Sequence, residues 1–252
     1  MSSKPEKYYE FLTREEALSD APLRTLDLPD KHKDPLLTAH RLIKPYVNIL
    51  AVKHVWQGQL RIGQLVVHDV MRNRFKHMFD EMLDTGCEIE KVMPAVLFKD
   101  DEESMAAGNT MAWRIDYNGR PERGVLSKHA LCALDVSPGE NPQIDADGTY
   151  HPARANPTHP DYRAPYEPAV LANYPEMLRR FSSQYNVEHG SFWNNPNIEQ
   201  ETGYPDYYPG APNDLHHWEL RDSGKNGELC MENFPMPDGL VYVHAGKIML
   251  AA

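Results

Sequence analysis

Two short stretches of this 252-residue chain bring histidine and carboxylate together at spacings that suit a catalytic metal. In the first, Ser127-Lys128-His129 leads to Asp135; the second is Asp214-Leu215-His216-His217-Trp218-Glu219. Zinc binds imidazole nitrogen and carboxylate oxygen, and its catalytic sites commonly take three protein ligands and keep a fourth position for water. His129, Asp135 and His217 supply such a set. Asp214 precedes His217 by three residues, an offset from which a carboxylate can take the proton of an attacking water, and this makes it the candidate general base. In a chain with 12 histidines and 37 acidic residues such pairs also arise by chance, so the spacing alone does not establish a site.

Composition narrows the chemistry further. Lys and Arg number 26 against 37 Asp and Glu, a formal charge of -11, which repels nucleic acid and anionic membranes and argues against either as a partner. No apolar run approaches the ~20 residues of a membrane-spanning helix. The Met1 to Lys7 start leads into charge instead of an apolar segment, so the expectation is a protein made in the cytoplasm without a signal peptide. The three cysteines, Cys87, Cys132 and Cys230, are far apart in sequence, which makes a disulfide framework an unsuitable reading.

The elements that must position these residues read as follows. Residues 1–45 are charged and interrupted by Pro22, Pro29 and Pro35, which suggests an N-terminal arm with one short helix near Arg14 to Ser19. From Tyr46 two strands joined at Gln57-Gly58 fit the alternation of apolar and polar residues. Val67, Val70, Met71, Phe75, Met78, Phe79, Met82 and Leu83 recur at three- and four-residue steps, the stripe of an amphipathic helix, and Gly86 stands where a C-terminal glycine belongs. His68 and His77 lie on or near that helix and receive no functional role. Residues 92–98 and 131–136 read as strands, the second ending in a carboxylate. Residues 137–168 hold seven prolines with little periodicity, an ordered loop or insertion. A helix over 169–185 is open to a break at Pro175; 193–213 reads as loop, and His217–Leu220 and 240–250 as late strands. One α+β domain accounts for this order.

The run from Ser104 to Pro142, with the later Asp-x-x-His, resembles the peptidoglycan-cleaving zinc peptidases of family M15, the D-alanyl-D-alanine carboxypeptidases and L-alanyl-D-glutamate peptidases. Members look like Ser-Met-Ala-x-x-Asn-Thr-x-Ala-Phe, then Ser-x-His-x-x-Gly-x-Ala-x-Asp-Ile-Asn-Pro-x-x-Asn-Pro, then Asp-x-x-His-Phe. The matching residues here are Ser104-Met105-Ala106, Asn109-Thr110, Ala112-Trp113, Ser127 with His129, Ala133-Leu134-Asp135-Val136-Ser137-Pro138, Asn141-Pro142, and Asp214 with His217-Trp218. The likeness covers about residues 47–142 and 170–220. It implies a small antiparallel sheet flanked by helices and carrying the zinc site, decorated by the arm of residues 1–45 and long loop insertions, with the peptidase domain spanning 46–252. It also implies one Zn2+ per chain on His129, Asp135 and His217, with Asp214 as catalytic base. His216 is the rival of His217; Trp218, in the place of the family's Phe, favours His217. Ser104, Asn109, Thr110 and Ser127 would line or shape the substrate pocket.

Two departures stand out. The family spaces its first two ligands as His-x6-Asp, whereas His129 and Asp135 are one residue closer, with Leu131-Cys132 where a glycine is usual. A tightened turn would absorb the loss; Cys132 is a rival ligand, although a buried structural cysteine is the more ordinary role. The arginine that relatives carry after Asn-Thr-x-Ala-Phe aligns with Asp116, leaving Arg114, the first choice, or Arg120 to polarise the scissile carbonyl or hold a substrate carboxylate. The activity implied is hydrolysis of a peptidoglycan stem peptide at D-Ala-D-Ala or L-Ala-D-Glu, in a phage-type endolysin that acts on the wall after release or in a cytoplasmic peptidase. The alternative is a non-hydrolytic module of the same fold that binds wall peptides or a protein partner.

Overall fold

The computed structural model describes residues 5–25, 29–115, 125–126, 128–192, 213–220, 241–244 and 247–250. The N-terminal arm is more helical than its prolines suggest. Helices α1 (Arg14–Ala17) and α2 (Ala21–Arg24) are single turns, but α3 (Asp30–Ile43) runs for 14 residues. The expectation of one short helix is therefore corrected. Leu36, Ala39, His40 and Ile43 recur on one face of α3 and are buried, and burying such a stripe outweighs the ~3 kcal/mol that an internal Pro35 costs. The arm is also no loose appendage. Leu18, Leu36, Ala39 and Ile43 belong to the same buried cluster as Val47, Phe75 and Trp218, and the Val92 N–H donates to Tyr8 Oη at 2.6 Å.

Strands β1 (Val47–Trp56) and β2 (Gln59–His68) form an antiparallel hairpin with Val47 opposite His68 and Trp56 opposite Gln59. Gln57 at φ 50° and Gly58 at φ 73° make its turn. Positive φ at both central residues is the type I′ geometry that matches strand twist. Helix α4 (Asp69–Thr85) follows, burying Met71, Phe75, Met78, Phe79 and Met82 and ending at Gly86 with φ 76°. His68 caps its start, its Nδ1 accepting from the Val70 N–H at 3.3 Å.

His54 and His68 give this hairpin an acid sensitivity. Burial pushes both down to about 4 from 6.5. The unfolded chain binds these protons near pH 6.5, so their contribution is intact above that pH and is lost as pH falls toward 4. Each is expected to cost up to about 3 kcal/mol across that window. Urea midpoints measured from pH 7 to 4 should fall steeply in the parent and less steeply in a His54→Gln/His68→Asn double variant, in which Asn keeps the helix cap. Equal slopes would show that other groups set the acid limit.

After α4, β3 (Lys91–Val92) is short. The expected strand over 92–98 stops because Pro94 has no N–H to donate, and the chain turns through a 3-10 helix at Ala95–Leu97. Helix α5 (Asp101–Ala106) leads to β4 (Asn109–Thr110), which pairs in parallel with β3. The next residues connect the hairpin to the site. Trp113 N–H donates to the Val66 carbonyl at 3.0 Å, while Met111 and Asp135 exchange backbone bonds at 3.0 and 2.8 Å.

The remaining strands are β5 (Val125–Leu126), β6 (Ala133–Asp135), β7 (Gln143–Ile144) and β8 (Tyr150–His151). Helix α6 (Pro175–Tyr185) then precedes β9 (Val187–His189), β10 (Asn213–Asp214), β11 (His217–Leu220), β12 (Val241–His244) and β13 (Lys247–Leu250). They form three-stranded antiparallel sheets in the orders β6-β11-β9, β10-β7-β8 and β12-β13-β5. Pro175 falls in the first turn of α6 and divides it from a 3-10 helix at Leu171–Asn173. The proline-rich stretch 137–168 is ordered and supplies β7 and β8, so it holds β10 in place. The fold is thus α+β, with small, mostly antiparallel sheets and several helices. Among the described residues no helix is long and apolar enough to cross a membrane. The loop expected over 193–213 lies outside the described residues except for Asn213.

Candidate metal centre

Pairing of β6 with β11 sets Asp135 directly opposite His217. His129 reaches the same place from a 3-10 turn at Lys128–Ala130 that is followed at once by a turn and then β6. This compact path fits the shortened spacing between His129 and Asp135. All three side chains are buried, and one ligand atom from each lies within 4.8 Å of the other two. The group could hold a metal ion.

The polarity of the site supports this. His129 Nδ1 lies 2.7 Å from the Ala112 carbonyl, to which it must donate, so in the neutral ring Nε2 is a lone pair facing Asp135 Oδ2 at 3.1 Å. His217 Nε2 lies 3.2 Å from Glu219 Oε2, and its Nδ1 lies 2.9 Å from Asp135 Oδ1. In a neutral His217 ring whose Nε2 proton goes to Glu219, Nδ1 is also a lone pair, so its approach to Asp135 calls for a proton or a metal there. Two imidazole lone pairs against one carboxylate repel unless a cation, metal or proton, sits among them. The titration tendencies agree. Burial raises Asp135, but the charges of His129 and His216 and bonds from His129 and His217 outweigh it and hold the carboxyl well below its usual range. For His217, burial lowers the value, yet bonds to Asp135 and Glu219 lift it well above normal.

Three neighbours of this group were given no role by the motif reading. Glu219 shares a strand face with His217, two residues on, and fixes its tautomer in the manner of a carboxylate behind a metal-ligating histidine. The His-x-Glu alternation on β11 was the available signal. Glu219→Gln is expected to lower metal affinity about 10- to 100-fold while leaving the fold intact; competition against a chelator reads this, and an unchanged affinity would dismiss the role. Asn141 accepts a bond from His216 Nδ1 on its backbone carbonyl at 2.8 Å, while its side chain holds the Ala169 carbonyl and the Leu171 N–H. Gly190 abuts Asp214 so closely that any Cβ would collide with the Asp214 backbone.

Asp214 is buried, with Oδ1 at 3.2 Å from His216 Nε2, and that nitrogen is 3.8 Å from Asp135 Oδ1. The candidate base is thus joined to the ligand set through His216, and His217 rather than His216 completes the triad. Arg114 goes elsewhere: its guanidinium pairs with Asp101 at the start of α5. Asn109 clasps Met93, donating to its carbonyl at 3.1 Å and accepting from its N–H at 2.8 Å, and also donates to Ser104 Oγ at 3.1 Å. Thr110 Oγ1 accepts from the Ser137 N–H at 2.9 Å. Both side chains are fully buried, so they brace the segments around the site instead of lining an open pocket. Cys132 is buried in the core cluster and is not in the triad. Ser127 and Arg120 lie outside the described residues.

No family model, curated protein or solved structure matches the chain.

Proposed function

We propose that this chain is a zinc-dependent peptidase that hydrolyses an amide bond of a peptidoglycan stem peptide, at a D-Ala-D-Ala or an L-Ala-D-Glu junction. The observation that carries the reading is the buried convergence of His129, Asp135 and His217, residues that also occupy the ligand positions of the motifs resembling family M15. Two imidazoles and one carboxylate are the donor set of a catalytic zinc. When bound, zinc supplies an acidified water and positive charge for an oxyanion.

The chain's own residues do the rest. His129 and His217 present nitrogens whose orientation the Ala112 carbonyl and Glu219 set. Asp214 accepts the proton of the attacking water and returns it to the leaving amine, with His216 Nε2 lying 3.2 Å from that carboxylate. Stem peptides end in free carboxylates, for which arginine is the suited partner. With Arg114 engaged by Asp101, Arg120 is the arginine assigned that task.

Purified wall fragments incubated with the zinc-loaded protein are expected to yield new amino groups, and product masses identify the bond; a chelator should stop the reaction. A second reading, a non-hydrolytic module that binds wall peptides, draws on the engagement of Asp214 by His216 and of Arg114 by Asp101. Binding of the same fragments without cleavage, at one zinc per chain, would favour it.

A further inference from the structure

Beside the triad lies a second pair of donor atoms that the three ligands leave unused. Asp214 and His216 are 6% and 3% exposed, and Asp214 Oδ1 stands 3.2 Å from His216 Nε2. That separation is short enough for a hydrogen bond, yet Asp214 Oδ1 accepts none. The oxygen therefore stands off the line along which an Nε2–H would point. Packing keeps it there, since the Asp214 backbone is pressed against Gly190 and β10 is paired with β7.

His216 is turned to receive a cation. Its Nδ1 lies 2.8 Å from the Asn141 carbonyl, to which it must donate, so in the neutral ring Nε2 presents a lone pair toward Asp214. A histidine that gives its other N–H to a backbone carbonyl is the ordinary form of a metal ligand. Zinc fits the pair where a shared proton does not. Two zinc bonds of about 2.0–2.2 Å that meet near the tetrahedral angle hold their donors about 3–3.5 Å apart, with the oxygen off the nitrogen's axis. The observed 3.2 Å falls in that span. Asp135 Oδ1, 2.9 Å from His217 Nδ1 and 3.8 Å from His216 Nε2, is placed to bridge the two positions. None of these atoms needs to face open space, because the ion sits between its donors, as it would among the equally buried His129, Asp135 and His217.

We propose that Asp214 Oδ1 and His216 Nε2 bind a second divalent ion of the zinc type next to the first, with Asp135 as a shared third donor. With only two donors of its own and a cation beside it, this position is the weaker of the two. Occupying it takes the Asp214 carboxylate. The consequence, which rests on the reading of Asp214 as the base, is that a second ion inhibits the hydrolysis that the first enables.

Calorimetric titration of zinc into the metal-free full chain, with the bound metal counted by elemental analysis at equilibrium, tests the site. Two steps are expected, the second weaker. Asp214→Asn and His216→Phe should each weaken the second step by more than about tenfold, the least that loss of a ligand should cost, and the first step, kept in both, shows that the variants are folded. A single step in the parent overturns the proposal. So does a second step that both variants keep, which would be zinc on exposed histidines such as His77. Hydrolysis of wall fragments followed across the same titration tells this proposal from the proposed function. Activity that rises with the first ion and falls with the second supports both. A second step lost in the variants, with no cleavage at any zinc level, supports the site and removes the peptidase. Undiminished cleavage at two ions per chain overturns the inhibition, and a chain that binds no zinc overturns both.

Discussion

His129→Ala is expected to purify without zinc while the parent carries one ion per chain. The substitution removes a ligand whose ring is oriented by the Ala112 carbonyl, leaving one imidazole and one carboxylate, fewer than the three protein donors of a catalytic zinc site. Loss of an outer partner alone costs about 10- to 100-fold in affinity, and loss of a ligand should exceed that. Stability must be followed too, since Asp135 is buried and His129 is one of the groups that hold its charge. Removing one member of such a buried pair costs about 3–5 kcal/mol. Thermal unfolding with and without zinc separates the effects. At a thousandfold excess over Kd the parent gains about 4 kcal/mol from the metal, whereas a folded His129→Ala chain should gain none. Elemental analysis showing no zinc in the supplemented parent, or full zinc in the variant, would remove the basis for the metal centre.

Protons compete for the same site. His217 is held well above its ordinary value, after the opposing cost of burial, by Asp135 and Glu219, so below that raised value a metal must displace a proton from it. Zinc affinity therefore falls as pH falls, by about tenfold per unit for one displaced proton.

How much of this was legible depended on whether the signal was local. The β1–β2 hairpin was, because alternation and a two-residue Gln57-Gly58 turn are written in adjacent positions. Helix α4 was, because its apolar stripe and Gly86 lie within one stretch. Helix α3 was not: Pro35 argues against a helix locally, and the reason it forms is a core built from residues far along the chain. The strand read over 92–98 failed for the opposite cause, since its apolar texture was visible but Pro94 ends the ladder. For the site, His129, Asp135, His217 and Asp214 stand out by type and spacing. What holds them does not. The Met111–Asp135 bridge, the Ala112 carbonyl behind His129 and the Asn141 carbonyl behind His216 are backbone groups brought in by tertiary pairing. Arg114 shows the same dependence on tertiary contacts: it sits near the Trp113 anchor in sequence, and its guanidinium pairs with Asp101 on α5.

Asp214→Asn separates hydrolysis from binding. Asparagine keeps the size of the side chain and its place beside His216, whose Nε2 is 3.2 Å from Asp214 Oδ1, but it cannot take a proton at neutral pH. If Asp214 is the base, kcat should fall by about 10²–10⁴-fold. KM and zinc content should change little, because the lost interaction belongs to the transition state. His216→Phe distinguishes a base that is held in position from one that is disabled by its neighbour. If His216 positions Asp214, hydrolysis falls in this variant as well. If the contact instead quenches the carboxylate, removing it raises activity. Equal affinity of the parent and Asp214→Asn for wall fragments, with cleavage by neither, would mean that the buried triad serves a module that recognises these peptides without cutting them.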